Sequence, residues 1–392
     1  MVDSYKGYVA VALLFIVFFT PSSGHAAAES PVQWAEEQIN SSTFSEIHRY
    51  WNEWSRQYSE FMPEIADKNL TDLVTSDSPL AVKEWLKGIL KYLFYELVVN
   101  GKLLGSLIFL TLFSVILQTV QTAFESHTVN KVAYAVVYLI LITLALNSFR
   151  LAVSYTNEAI ETMSHFMISL IPLIMSLMAA IGNLSAVAFF HPVILFLIHI
   201  SGVLIAHIVL PLFFLSALLH IVSSLSDHLK ATQLANLLKN VGLALLGVFL
   251  TVFLGVVSLQ GAQSAIQDGV VLKTAKFVTG NFIPVFGRMF TDATDTVLSA
   301  SILLKNTVGL AGVVIVLGIA LFPAVKVFVL SMIYKLAAAI MQPIGDGPVI
   351  KTMDLISKHI IYIFAALLVV TIMFFLAIVI LVAASNLTLM IR

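Results

Sequence analysis

Long apolar stretches alternate with short polar breaks over most of this chain. The exception is a polar stretch near the N-terminus. About 20 mostly apolar residues cross a bilayer as a helix. Stretches of that kind fall at about 103–124, 132–149, 192–222, 241–259, 307–335 and 360–384. Two further stretches, 150–182 and 260–305, are ambiguous. The first holds Asn157, Glu158 and Glu161 ahead of an apolar run. The second holds Lys273, Lys276, Arg288, Asp292 and Asp295. The second is too polar to face lipid along its whole length, so it is expected to lie at the surface, re-enter, or sit inside protein. The polarity of "GRMFTDATD" favours re-entry.

The polar stretch has its own period. Phe44, Ile47, Trp51, Trp54, Tyr58 and Phe61 recur at spacings of three and four, which is one stripe of a helix. Thr43 and Glu46 have capping-box spacing, and Pro63 follows the end. Arg49, Glu53, Arg56 and Glu60 occupy the other faces. The stripe has to be buried, either on the protein's own helices or as a docking surface for a partner. Ser78-Pro79 opens a second helix. In it Lys83, Lys87 and Lys91 recur opposite Trp85, Ile89 and Leu93, a pattern that suits a helix lying in the membrane interface.

The later chain repeats itself. "LIPLIMSLM" at 170–178 aligns with "FIPVFGRMF" at 282–290. Pro172 pairs with Pro284 and Pro211 with Pro323. "SDHLKATQLANLLKN" at 226–240 aligns with "GDGPVIKTMDLISKH" at 345–359. The pattern reads as an internal duplication of about 166–259 and 278–384, each copy carrying a polar elbow between two apolar helices. The second elbow is Gln342-Pro343-Ile344-Gly345-Asp346-Gly347-Pro348. Its prolines stop a helix, and its glycines permit positive φ. After it, Val349, Met353, Ile356 and Ile360 share one helix face and Lys351, Asp354 and Lys358 the other, as a short interfacial helix before the last span would require. Three crossings in each half would make the repeats inverted, and two would make them parallel. Basic residues divide almost evenly between the two sides, so orientation stays open.

Composition fixes the class. The 392 residues are 59% apolar and 11% charged, with a mean hydropathy of +0.97. A soluble domain carries about 25% charged residues. The fold class is therefore an all-α polytopic membrane protein with about six to eight spans or re-entrant segments and an internal duplication, preceded by a small helical extracytoplasmic region. Net charge is −1 and gives no hint of nucleic-acid binding. The absence of cysteine excludes disulfides, thiolate metal sites and cysteine nucleophiles. Lys6, the apolar run Val9–Thr20 and the small residues at 26–28 have the form of a secretory signal, with an uncleaved anchor as the alternative. Residues 29–101 hold just over half of the chain's acidic residues. The expected organisation is a signal peptide at 1–28, an extracytoplasmic amphipathic region at 29–101, and a first transmembrane pair with its connecting amphipathic segment at 102–165. Repeat 1 follows at 166–259, a linker at 260–277, and repeat 2 with the C-terminus at 278–392.

Polar groups inside a membrane are candidate functional residues. His199, His207 and Lys326 are the deepest such groups by sequence. Histidines eight apart rotate about 80° from one another on a helix, which suits interhelical hydrogen bonds or interface positions better than proton handling or a metal. Lys326 follows Pro323 by three residues and could snorkel, pair with a carboxylate, or line a polar cavity. No G-x-S-x-G, H-E-x-x-H or Walker loop is present, so an enzyme, a metal and a cofactor are not expected.

At "AAAIMQPIGDGPVI" the chain resembles the stage III sporulation protein AE family, most specifically at Gln342, Pro343, Gly345 and Asp346 and the helix after them. The resemblance runs from about residue 80 to the end. It implies a mother-cell membrane protein of a sporulation apparatus that faces the forespore. Its implied partners are the other stage III sporulation A proteins and, through them, stage II sporulation protein Q, in a trans-envelope, secretion-like channel. It brings no catalytic residues. A homo-oligomer is open. Two functions follow, namely a channel or assembly subunit, or a self-contained secondary transporter with a midplane site between its repeats.

Overall fold

The computed structural model describes residues 45–62, 82–123, 127–225, 231–282, 286–345 and 347–390. At 120–134 and 261–298 it describes backbone alone. Nine α-helices follow in order among the described residues. They are α1 Ser45–Tyr58, α2 Val82–Val99, α3 Gly101–Ala123, α4 His127–Ala180, α5 Leu184–Leu204, α6 Leu210–Leu225, α7 Thr232–Phe282, α8 Phe286–Met341 and α9 Pro348–Met390, with a π-helical turn Ile205–Val209 between α5 and α6. No strand occurs among the described residues. The signal segment at 1–28, Phe44, the second-helix start at Ser78-Pro79, Asp227, Pro284 and Asp346 lie outside them.

Among the described residues, six helical stretches are long and apolar enough to cross a membrane, namely Gly101–Thr119, Ala135–Ala180, Ala186–Ser224, Thr232–Gln260, Ser301–Met341 and Pro348–Ala384. Each overlaps one of the six apolar stretches read from sequence. Four of them are close to twice the length a bilayer needs. At 1.5 Å per residue, the 46 residues of Ala135–Ala180 reach about 69 Å, against a hydrocarbon core of about 30 Å.

α4, α8 and α9 form the centre. α8 and α9 run antiparallel, with Ser331 against Ser357 at one end and Lys305 against Val382 at the other. α4 also runs antiparallel to α8, since Ser148 meets Tyr334 at 2.9 Å and Leu170 lies where a Cβ on Gly312 would collide with it. α5 to α7 close the far side. There Phe213 packs on Tyr362, and a Cβ on Gly242 would meet the Phe213 ring at 2.6 Å.

Several expectations are corrected. Residues 150–180 neither turn back nor re-enter. They continue α4 without a break. Asn157, Glu158 and Glu161 did not need a break because Thr156, Ala159, Ile160 and Met163 bury the opposite side of the same helix. The helix after the second elbow is not a separate interfacial piece, because α9 runs unbroken into the last span. Its buried face is the expected one, with Val349, Met353, Ile356 and Ile360 all at 5% exposure or less. α2 does not lie free in an interface either. It packs along α8, with Tyr92 edge-on to Phe322 at 4.7 Å.

Gly345 and Gly347 do not use positive φ. Gly182, at φ 87° in the tight turn between α4 and α5, is the residue that does. The elbow glycines provide room instead. A Cβ on Gly347 would sit 2.9 Å from Gln118 Oε1, and one on Gly345 would touch Val115 at 3.6 Å. Gln342 closes the last turn of α8 through its N–H to the Ala338 carbonyl at 3.0 Å. Pro348 starts α9 where no donor is needed.

A candidate aqueous face on the apolar bundle

α1 folds as an amphipathic helix, and its apolar stripe is spent on the chain itself. Ile47, Trp51 and Trp54 are buried, and Tyr58 and Phe61 pack against the same core. The reading of this stripe as a docking surface for a partner is thereby corrected. The surface that would dock is already covered by α2, α4 and α8. Tyr58 stacks on Phe322 with centroids 3.5 Å apart and planes 2° apart. Tyr50 meets Phe166 edge-on at 5.1 Å, and Trp54 stacks on Trp85 at 6.0 Å. Gly318 makes this approach feasible, since a Cβ there would lie 2.7 Å from the Trp54 indole. Where the chain leaves α1, Lys91 Nζ donates to the Glu60 carbonyl at 2.7 Å. A Cβ on Gly88 would meet the Phe61 carbonyl at 2.8 Å.

Beneath α1 lies a polar cleft of about 220 Å³, lined among others by Glu53, Gln57, Tyr155, Glu158, Pro323 and Lys326. Lys326 is one of the residues that line this cleft. The side chain is half-buried, with Nζ 5.0 Å from the centre of the Tyr155 ring. Nearby, Tyr92 donates to Glu96 Oε1 at 2.7 Å. Asn100 Nδ2 donates to Glu96 Oε2 at 3.2 Å and to the Glu96 carbonyl at 2.9 Å. Glu96 is 8% exposed, and these donors satisfy both of its carboxylate oxygens. Burial, and then the Glu158 and Glu96 carboxylates, push Tyr58 up to about 12. Burial and the hydrogen bond to Glu96 likewise raise Tyr92. Arg49 is raised by its 2.6 Å bond to Glu46 on the solvent side.

Phe322 and Gly318 lie in the middle of the apolar stretch Ser301–Met341, and this cluster is where α1 and α2 dock. Outward from the dock point exposed Arg49, Glu53, Arg56, Lys83, Lys87 and Lys91. Elsewhere the long helices expose Leu310, Leu317, Leu368 and Ile372 to the outside. The α1–α2 face thus carries a cluster of exposed charges, among which α2 also exposes Leu86, Leu90 and Phe94.

The remaining candidates fall elsewhere. His199 and His207 are exposed and form no interhelical hydrogen bond among the described residues. His207 sits in the π-helical turn. Sequence reasoning passed over two other histidines, His359, which is buried, and His220, which is half-buried. His359 Nε2 lies 3.0 Å from Ser216 Oγ, and the two rings are 5.1 Å apart. Both histidines lie on apolar helix faces, and the spacing of His359 from Ile356 was the available signal. No group of three metal-ligating side chains occurs among the described residues. The flanks of the two elbows meet on α4, where Tyr138 Oη lies 2.5 Å from Ser224 Oγ and 2.7 Å from Thr352 Oγ1. Asp354, beyond the second elbow, takes Lys335 and, at 2.8 Å, Lys358.

Residues 66–385 match the family described as Stage III sporulation protein AE. The chain is also 55% identical over 365 residues to "Stage III sporulation protein AE" of Bacillus subtilis (strain 168), covering 93% of this chain and 92% of that protein. No solved structure matches.

Proposed function

The chain belongs to the stage III sporulation protein AE family, and on that premise we propose that it is a membrane subunit of a sporulation channel between mother cell and forespore, with its α1–α2 face turned to the aqueous path. The family supports a sporulation role, and the six apolar helices support a multi-pass membrane protein. One observation carries the finer reading. Lys91, next to the Tyr92 that meets Phe322 edge-on at 4.7 Å, and the charged face of α1, whose Tyr58 stacks on Phe322, lie beside an apolar stretch of 41 residues. A lysine at the centre of a lipid-facing helix costs about 2.5–3.5 kcal/mol. Lipid on all sides of the bundle would impose that cost repeatedly on α2. Water on this one side, with lipid or neighbouring subunits on the others, removes it. A pore-lining subunit has this asymmetry.

In this reading the protein sits in the mother-cell membrane, with residues 29–101 extracytoplasmic, and assembles with the other stage III sporulation A proteins and, through them, with stage II sporulation protein Q. It has no catalytic role. The cleft holding Lys326 and Glu158 beside Pro323 favours one second reading, a self-contained secondary transporter, because such sites form where helices are interrupted. Purification from sporulating cells separates the two. A subunit should be recovered with its apparatus and be inert alone in liposomes. Solute flux by the purified chain in liposomes would overturn the subunit reading.

A further inference from the structure

Arg150 stands within the apolar stretch Ala135–Ala180, yet its side chain is exposed and takes no ion pair or hydrogen bond among the described residues. Asn147, one turn earlier on the same face, is exposed as well. Both open onto a groove of about 570 Å³ between α4 and the segment that carries the π-helical turn, floored by Leu146, Val153, Ala206, Pro211 and Phe214. A permanently charged guanidinium on a lipid-facing helix requires an anion. The groove beside it is lined mainly by apolar side chains, as an acyl chain requires. The π-turn and Pro211 shape the wall opposite Arg150.

We infer that this groove is a binding site for an anionic phospholipid, with its phosphate on Arg150 and Asn147 and an acyl chain along Val153, Ala206, Pro211 and Phe214. Guanidinium and phosphodiester match as a two-pronged, charge-assisted pair, and the Asn147 amide adds a neutral donor. The site is separate from the α1–α2 face and does not depend on the channel reading. It would make retention of the protein's annular lipid selective for negative headgroups.

The test titrates the full-length protein in neutral detergent with phosphatidylglycerol or phosphatidylcholine and counts retained lipids by native mass spectrometry. The expected result is saturable retention of phosphatidylglycerol in preference to phosphatidylcholine. Arg150→Gln should weaken it about fivefold or more, the effect expected of one cation near an anionic surface. Arg150→Lys should keep part of it. Ala206→Phe should weaken it with Arg150 intact. Lys102→Gln, which removes an exposed cation on α3, should leave it unchanged. Thermal unfolding of Arg150→Gln without added lipid should equal that of the parent, because no internal partner is lost. A drop there would mean that Arg150 serves the fold, and would overturn the site. Equal losses in Arg150→Gln and Lys102→Gln would reduce the effect to general surface charge. Competition by millimolar inorganic phosphate would leave a bare anion site and remove the acyl groove. Unchanged lipid retention in Arg150→Gln, with loss of a co-purifying protein, would assign Arg150 to a protein acid instead.

Discussion

Trp54→Ala should release α1 from the bundle while the membrane helices stay folded. Trp54 is 5% exposed, stacks on Trp85 and contacts Phe322. Its indole fills the space that the missing Cβ of Gly318 leaves open. Truncating a buried tryptophan costs about 3–5 kcal/mol in a packed core. The energy acts here on docking, since α1 joins the rest by one surface and its own chain. At 1.4 kcal/mol per factor of ten, opening of α1 should rise roughly a hundredfold or more. Hydrogen exchange of the full-length protein in nanodiscs reads this directly: amides of 45–58 should lose protection, and those of α8 and α9 should keep it. Trp54→Phe should fall between, because it keeps one aromatic ring while losing part of the buried indole and an N–H that has no partner among the described residues. Arg49→Ala should leave exchange unchanged, since its pair with Glu46 is exposed on both sides. Parent-like protection of 45–58 in Trp54→Ala would show that the aromatic stack does not hold α1, and would refute the reasoning.

Gly318→Val should destabilise the same contact from the α8 side, by about 1–3 kcal/mol of overpacking, and should match Trp54→Ala in exchange pattern. Tyr58 is neutral in the docked state, with its ionisation raised from about 10 to about 12, so its contribution is intact below pH 10 and is lost as pH rises toward 12. Ultraviolet titration should show a late phenolate component that Tyr58→Phe reduces by one tyrosine. Tyr138→Phe should loosen the two elbow flanks by about 1 kcal/mol or more, because it leaves Ser224 and Thr352 without their shared partner, and Thr352 is buried. Faster exchange at the start of α9 would report it. Asp346→Ala should leave membrane accumulation normal while lowering sporulation or complex recovery. Full sporulation would make Asp346 a dispensable turn residue.

The helices and their order were legible because apolar length is a strong signal and survives tertiary context. The α1 stripe was equally legible, since Ile47, Trp51 and Trp54 share a face at helical spacing. What covers that face was not, because periodicity shows that a surface is buried and says nothing of its partner. Residues 150–162 misled for the same reason. Glu158 and Glu161 looked like a break, but Glu158 lines the polar cleft under α1 and Glu161 is exposed, so neither carboxylate enters the packed side of the helix. His220 and His359 were missed because an apolar neighbourhood hid a contact 139 residues apart in sequence. The elbow glycines were placed correctly but explained wrongly. Close passage against Gln118, not backbone sign, accounts for Gly347. The proposed duplication predicts that 166–259 and 278–384 superpose with Pro211 on Pro323, which an experimental structure would test.

The central claim is that water reaches α1 and α2 at the height of the apolar bundle. The chain contains no cysteine, so single cysteines can be placed at Glu53, Lys87 or Lys91, and at Leu310, Leu368 or Ile372 as the apolar set. Membranes from sporulating cells would then be treated with a charged, membrane-impermeant thiol reagent. The account predicts fast labelling of the first set and protection of the second. Protection of Lys87 and Lys91 equal to that of Leu368 and Ile372, in a protein that still assembles, would contradict it.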